Sequence, residues 1–202
     1  MGWAVIKQNS FSFLGGHPTL DFINTVVDQD KDRGCSSIAQ WERFLEWVSA
    51  SGMFTDVQIK AFHQIVSSAE QEQLLKVIHK LREKEYAVLS DIAMNGFQPN
   101  KPLLELESKI KEAIGRASLS AAPEGYQWQP DMAQKLWIED AFLFSFEQLL
   151  RSQELKKLKE CGRCSWLFLD KGRGRGRRWC DMSTCGNRAK LATFRNRARE
   201  EG

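Results

Sequence analysis

Cys161-Gly-Arg-Cys164, then fifteen residues, then Cys180-Asp-Met-Ser-Thr-Cys185 and an arginine-crowded tail to Gly202 form the stretch on which the reading of this chain turns. Two thiols separated by two residues take hold of one side of a metal ion, and a second pair brought back by a short hairpin completes a tetrahedron. Four sulfurs leave no position for water, so Cys161, Cys164, Cys180 and Cys185 are expected to hold one structural Zn2+ per chain rather than a catalytic ion. Two disulfides are the competing arrangement, which a reducing compartment disfavours. The fifth cysteine, Cys35, is expected to be a small buried or half-buried thiol without a role in the site.

Working outward, Gly162 is expected to supply the tight turn of a zinc knuckle. Ser165-Trp-Leu-Phe-Leu-Asp170 has the length and composition of a strand, and Lys171-Gly-Arg-Gly-Arg-Gly176 that of a cationic hairpin tip. Arg177-Arg-Trp179 is expected to return as the second strand and deliver Cys180, with Cys185 at the start of a helix. Knuckle, hairpin and ligand-bearing helix describe a treble-clef-like finger. At about 100° per residue the tail helix gathers Leu191, Phe194 and Ala198 on an apolar face expected to dock on the metal module. Arg188, Arg195 and Arg199 line one flank and Lys190 and Arg197 the other, with Thr193 and Asn196 between them. That pattern suits a DNA groove, with arginines on the phosphate walls and Thr193 and Asn196 facing base edges. The tip arginines Arg173 and Arg175 extend the same basic surface.

Upstream, residues 1–155 read as a mainly α, helical domain, with the finger occupying 156–202. Ser36 or Ser37 is placed to cap a helix carrying Ile38, Trp41, Phe44, Leu45 and Val48 on one face. Thr55 is placed to cap the next, continuing with helical spacing to Gly96, and Pro102 stands near the start of another. Ser118–Pro130 reads as a long loop able to hold a hairpin. Asp131–Arg151 is apolar on nearly all sides, the mark of a central buried helix. His17, Asp21, Asn24 and Thr25 concentrate polar groups in an apolar N-terminal segment, either as a small-ligand pocket or as capping and turn hydrogen bonds.

The 202 residues carry a net charge of +3, which conceals a split: residues 151–202 hold 15 Lys/Arg against 6 Asp/Glu, and residues 1–150 hold 14 against 20. A cationic end on an acidic body points to a polyanionic partner, DNA first. The first sixteen residues lack a basic region followed by an apolar run, and no stretch approaches a membrane span, so a cytoplasmic location without membrane association is expected. An enzyme is not expected. His17, His63 and His79 lack metal spacing, the adjacent Glu139 and Asp140 diverge by about 100° on a helix, and Gly172-Arg-Gly-Arg-Gly176 lacks the context of a phosphate loop.

The run Cys161-x2-Cys164-x-Trp166-Leu-Phe-Leu-Asp170, with Arg177-Arg-Trp-Cys180-x-Met182-x2-Cys185-Gly-Asn-Arg188-x-Lys190, closely resembles the CGNR zinc-finger family of bacterial proteins. Gly15-Gly-His-Pro-Thr-Leu-Asp-Phe-Ile-Asn-Thr25 resembles the start of the ABATE domain that precedes this finger in the family. The resemblance implies the four cysteines as ligands, with Arg177, Arg178, Asn187, Arg188 and Lys190 in the family's pattern. It implies a DNA-binding finger behind a domain described as a stress-induced transcription regulator. One departure is Lys171-Gly172, where the family usually has a serine soon after the strand. The expectation is a DNA-binding transcription regulator whose body senses a ligand, forms a homo-oligomer, or both. The alternative is a zinc module that binds RNA or protein through an aromatic surface of Trp166, Phe168 and Trp179.

Overall fold

The computed structural model describes residues 11–28, 30–98, 101–122, 125–172 and 176–200. The helices are α1 (Pro18–Ile23), α2 (Trp41–Ala50), α3 (Asp56–His63), α4 (Ser68–Asn95), α5 (Lys101–Arg116), α6 (Trp137–Arg151) and α7 (Asn187–Glu200). Two antiparallel pairs join them: β1 (Ser118–Ala122) with β2 (Gly125–Gln129), and β3 (Leu158–Glu160) with β4 (Leu167–Leu169). The protein is mainly α, with a small β element at the cysteines.

Local chemistry sets most of these boundaries. Thr55 and Gln58 form a reciprocal capping box at the start of α3. Gly96 stops α4 at φ +77°, a conformation costly for any side chain. The periodic segment from Thr55 to Gly96 divides into two helices, because Gln64 and Ile65 turn back on Ala61 and Phe62 and Ser67 starts α4 with its own cap. Helix α2 begins at Trp41, with Gln40 at the N-cap in place of Ser36 or Ser37. Those serines are engaged elsewhere: the Ser36 hydroxyl accepts from Arg82 at 2.9 Å, and the Ser37 amide donates to Thr25 at 3.0 Å. Ser36 pairs with Val26, so Cys35 sits in a loop with an exposed thiol rather than a buried one.

Phe22, Phe44, Trp47, Phe54, Phe62, Trp137 and Phe142 form one aromatic cluster in the body, with ring centroids from 4.2 to 6.5 Å apart. Helix α6 supplies its centre, burying Ile138, Phe142, Leu143, Phe146 and Leu149 as its apolar perimeter requires. The C-terminal strands and the turn before them join the same core, since Leu155 of that turn and Leu158, Leu167 and Leu169 of the strands are buried in it.

One core residue opposes the fold. Glu85 on α4 is fully buried, and neither carboxyl oxygen has a hydrogen-bond partner among the described residues. Burial first, and then the charge of Glu139, hold its pKa well above the ordinary value. A carboxyl raised in the folded state binds a proton that the unfolded chain has released, so stability falls as pH climbs from the ordinary carboxylate range to the folded pKa. Glu85→Gln abolishes that slope. The variant is expected to gain roughly 1–3 kcal/mol in urea unfolding at about pH 8 and much less at about pH 5. An equal gain at both pH values would show that Glu85 does not titrate this way.

Candidate metal centre and basic helix

Cys161 follows β3, and its amide donates to Trp166 across the turn at 2.9 Å, which places Cys161 and Cys164 in the loop of the β3–β4 hairpin. Cys180 follows the half-buried Trp179, and Cys185 lies in a π-turn over Met182–Gly186 that runs into α7. Asp181 begins that turn by accepting the Ser183 amide at 3.1 Å. The four sulfurs lie within 4.8 Å of one another and all four residues are buried. Two of the edges between these sulfurs, Cys164 to Cys180 and Cys164 to Cys185, are each 3.6 Å. A tetrahedron with zinc–sulfur bonds of about 2.3 Å has edges of about 3.8 Å, so the donor set fits one structural zinc.

Four thiolates around a divalent ion leave two net negative charges. The half-buried Arg188 answers part of that charge, donating to the Cys185 sulfur at 3.8 Å. Hydrogen bonds from Cys164 and Cys180 push the Cys161 thiol well below its ordinary pKa, while bonding to Cys161 pushes Cys164 and Cys180 up. Metal binding therefore displaces protons that these sulfurs otherwise share.

The hairpin differs from the sequence expectation. Strand β4 pairs with β3, upstream of the first cysteine, and not with Arg177–Trp179. Its other edge is closed by the N-terminal segment. The Asn24 carboxamide accepts from the Leu167 amide at 2.9 Å and donates to the Leu167 carbonyl at 2.8 Å, and the Leu169 amide donates to Gly15 at 2.8 Å. No edge remains for a returning strand. Asp170 instead gathers the tip, accepting from Lys159 at 2.6 Å, Gly172 at 3.0 Å and Arg177 at 2.9 Å, contacts that hold its pKa down to about 2. This carboxylate ties both ends of the tip, across Lys171-Gly172. Gly162 is also needed for another reason than expected: its φ is not positive, and a Cβ there would come within 2.9 Å of the Trp179 ring.

The basic residues divide into engaged and free. Arg177 stacks 4.1 Å from the Phe168 ring centroid and donates to the Leu14 carbonyl, and Asn187 donates to Ser183 at 3.0 Å. Arg178 lies over Trp179 at 4.7 Å with its side chain exposed. Lys190, Arg195 and Arg197 are exposed on α7 without an ion pair among the described residues. Thr193 is exposed and its hydroxyl donates to Ala189. Arg173 and Arg175 lie outside the described residues, as do the side chains of Asn196, Ala198 and Arg199.

Two expectations are corrected here. Leu191 and Phe194 do not dock on the metal module: they are 55% and 71% exposed. The buried apolar side chain packed with the cysteines is Phe168 of β4, with Trp166 and Trp179 against it, and among the described residues none from α7 joins them. The aromatic surface also fails to form, because Phe168 is buried, Trp166 and Trp179 pack on the cysteines, and the Trp166 indole donates to Val26 at 3.0 Å.

His17, Asp21, Asn24 and Thr25 each bond to this chain. His17 caps α1 by accepting from Thr19 at 3.3 Å, and burial and then Lys171 lower its pKa to about 4. Asp21 accepts from Gly15 at 2.8 Å while burial raises its pKa to about 6. Thr25 donates to Phe22 and accepts from the buried Arg82. Asp28 and Arg33 carry more of the site than their sequence context announced: Asp28 accepts the Ser165 amide at 2.7 Å, and Arg33 donates to the Ser165 hydroxyl at 3.0 Å and to Glu83. An Asp four residues beyond Asn24, in the same polar run, is the signal that was present.

Residues 157–198 match the family model described as the CGNR zinc finger. No curated protein matches the chain. The C-terminal module is thus a zinc finger with a four-cysteine metal-binding group. No helix among the described residues is long and apolar enough to cross a membrane.

Proposed function

We propose that the chain binds duplex DNA through the zinc finger and α7, as a transcription regulator of the bacterial cytoplasm in which the helical body senses a ligand connected with stress. The observation that carries this reading is a set of cations without an ion pair among the described residues: Lys190, Arg195 and Arg197 are exposed on α7, and Arg178 lies exposed beside the metal module. Arg188 and Arg177 are occupied by Cys185 and by Phe168 and Leu14, so they hold the module together rather than reach a groove. The charge split between the C-terminal quarter and the body fits the same partner. The reading assigns no enzymatic step to the chain.

The test is a titration of the zinc-loaded full chain against duplex DNA across about 50 to 300 mM salt. With about four to six phosphates engaged, log affinity falls against log salt with a slope of roughly −4 to −5. Replacing Arg195 and Arg197 by Ala together is expected to flatten that slope by about 2. A salt-independent affinity would remove these side chains as phosphate contacts. A protein partner is the second reading, favoured by the exposure of Leu191 and Phe194 on the same helix. Binding that survives high salt but is lost on Phe194→Ser would decide for it.

A further inference from the structure

A cleft of about 410 Å3 opens in the body, away from the zinc finger, between β2, α6 and the start of α3. Its lining includes Thr55, Gln58, Trp128, Phe144, Ser145 and Gln148. Of the four N-terminal polar residues considered from the sequence, none lines it. The volume falls within the range of about 300–1,000 Å3 usual for small-molecule sites.

Gln58 gives the cleft its chemistry. The residue is only 5% exposed. Its Oε1 accepts both from the Thr55 amide at 2.9 Å and from the Thr55 hydroxyl at 3.1 Å. A backbone N–H must find an acceptor, so this pair of bonds assigns the oxygen and leaves the amide nitrogen on the other side. Both N–H bonds of that nitrogen lack a partner among the described residues, within a side chain that lines the cleft. That nitrogen is not sealed from water, so its donor pair is open to an acceptor supplied by a ligand in the cleft.

The rest of the lining narrows what that acceptor belongs to. Trp128, half-buried against the core, and the 7% exposed Phe144 give the apolar lining an aromatic part, beside aliphatic side chains such as Met53 and Leu119. Gln127, Gln129 and Gln148 add carboxamides, which pair in two-point fashion with the edges of heteroaromatic rings. The charged residues of the lining, Glu147 and Arg151, are ion-paired with each other, so the lining carries no net charge to select a phosphate or carboxylate.

We propose that this cleft binds an uncharged heteroaromatic ligand of nucleobase or nucleoside type, stacked on the aromatic surface and fixed at its edge by the Gln58 amide. This gives the sensing half of the proposed function a location, and it rests on that reading only for its purpose. Binding is measured on DNA-free protein, so failure here leaves the DNA reading standing, and failure of DNA binding leaves this one standing.

The experiment is calorimetric titration of the zinc-loaded full chain with adenosine, guanosine and uridine, and with glucose as a ring without a π-face. At least one nucleoside is expected to bind below about 1 mM and glucose not to bind. Gln58→Glu keeps an oxygen for Thr55 and replaces the free donor pair by a second acceptor, so it is expected to weaken the nucleoside roughly tenfold or more at unchanged melting temperature. Should that variant melt early, Trp128→Leu, which keeps an apolar side chain and removes the stacking face, is expected to show the same loss. Absence of heat with all three nucleosides, equal binding of glucose, or undiminished affinity in a folded variant would each overturn the proposal.

Discussion

Removing zinc with a chelator, or replacing Cys164 by Ser, is expected to unfold the finger and to weaken the helical body with it. Within the finger itself little besides the metal gathers the knuckle and the π-turn: β3 and β4 are three residues each, and among the described residues the buried cluster around the cysteines contains one large apolar side chain, Phe168. Binding energy of structural zinc in small modules, about 10–16 kcal/mol near neutral pH, is then folding energy. The loss reaches the body because Leu158, Leu167 and Leu169, on the strands that flank the knuckle, are buried in the main core. Each such side chain contributes about 1.5–3 kcal/mol by burial, and partial exposure of the three corresponds to a melting temperature lower by roughly 10–20 °C in a chain of this size. Far-ultraviolet circular dichroism should retain the signal of α1–α6, whose aromatic cluster needs no metal, while amide protons of Leu167 and Leu169 lose protection from exchange. The same loss should follow mild acid, since protons compete for the sulfurs. A metal-free chain with native melting and native protection at these strands would mean that the sulfurs do not hold the finger together.

The four ligands were legible because thiol spacing is a local property that survives folding unchanged. Helix ends were legible where a residue acts on its own stretch of backbone, as the Thr55 side chain and the lack of one at Gly96 do. What escaped were choices made by distant partners. Leu167-Phe-Leu169 has the composition of a strand, but three residues carry no signal of which neighbour will pair with them, and the edge was closed by Asn24 and Gly15 from the other end of the chain. Ser36 has the chemistry of a helix cap and was taken by Arg82, 46 residues away. Periodicity showed that Leu191 and Phe194 share a face, and that is all periodicity shows; whether anything covers the face depends on the direction in which the π-turn sends α7. The polar run from His17 to Thr25 was visible as unusual, and its use as the body's attachment to the finger was not, because the recipient groups are backbone atoms of Leu167 that no residue type advertises.

That attachment is the basis of the second large effect. Asn24 is 4% exposed, and its carboxamide satisfies both the N–H and the C=O of Leu167. Asn24→Ala leaves two buried backbone groups without partners, each costing about 1–3 kcal/mol, so a loss of roughly 3–5 kcal/mol in urea unfolding is expected. Asn24→Asp separates the two bonds: the carboxylate still accepts from the Leu167 amide but sets a negative oxygen against the Leu167 carbonyl, and it should be no better than Ala. The cost should also appear in zinc binding, because a finger whose strand is no longer held is less often in the form the metal binds, and linkage makes the coupling reciprocal. Asn24 is at the same time the C-cap of α1, its amide bonded to Leu20, so the residue joins the end of a body helix to the strand beside the cysteines. If this joint makes body and finger one cooperative unit, the wild-type chain unfolds in a single transition and Asn24→Ala in two, the finger first. A variant within about 1 kcal/mol of the wild type, with one transition and unchanged zinc affinity, would show that solvent replaces the clamp and that the shared leucines alone unite the two parts.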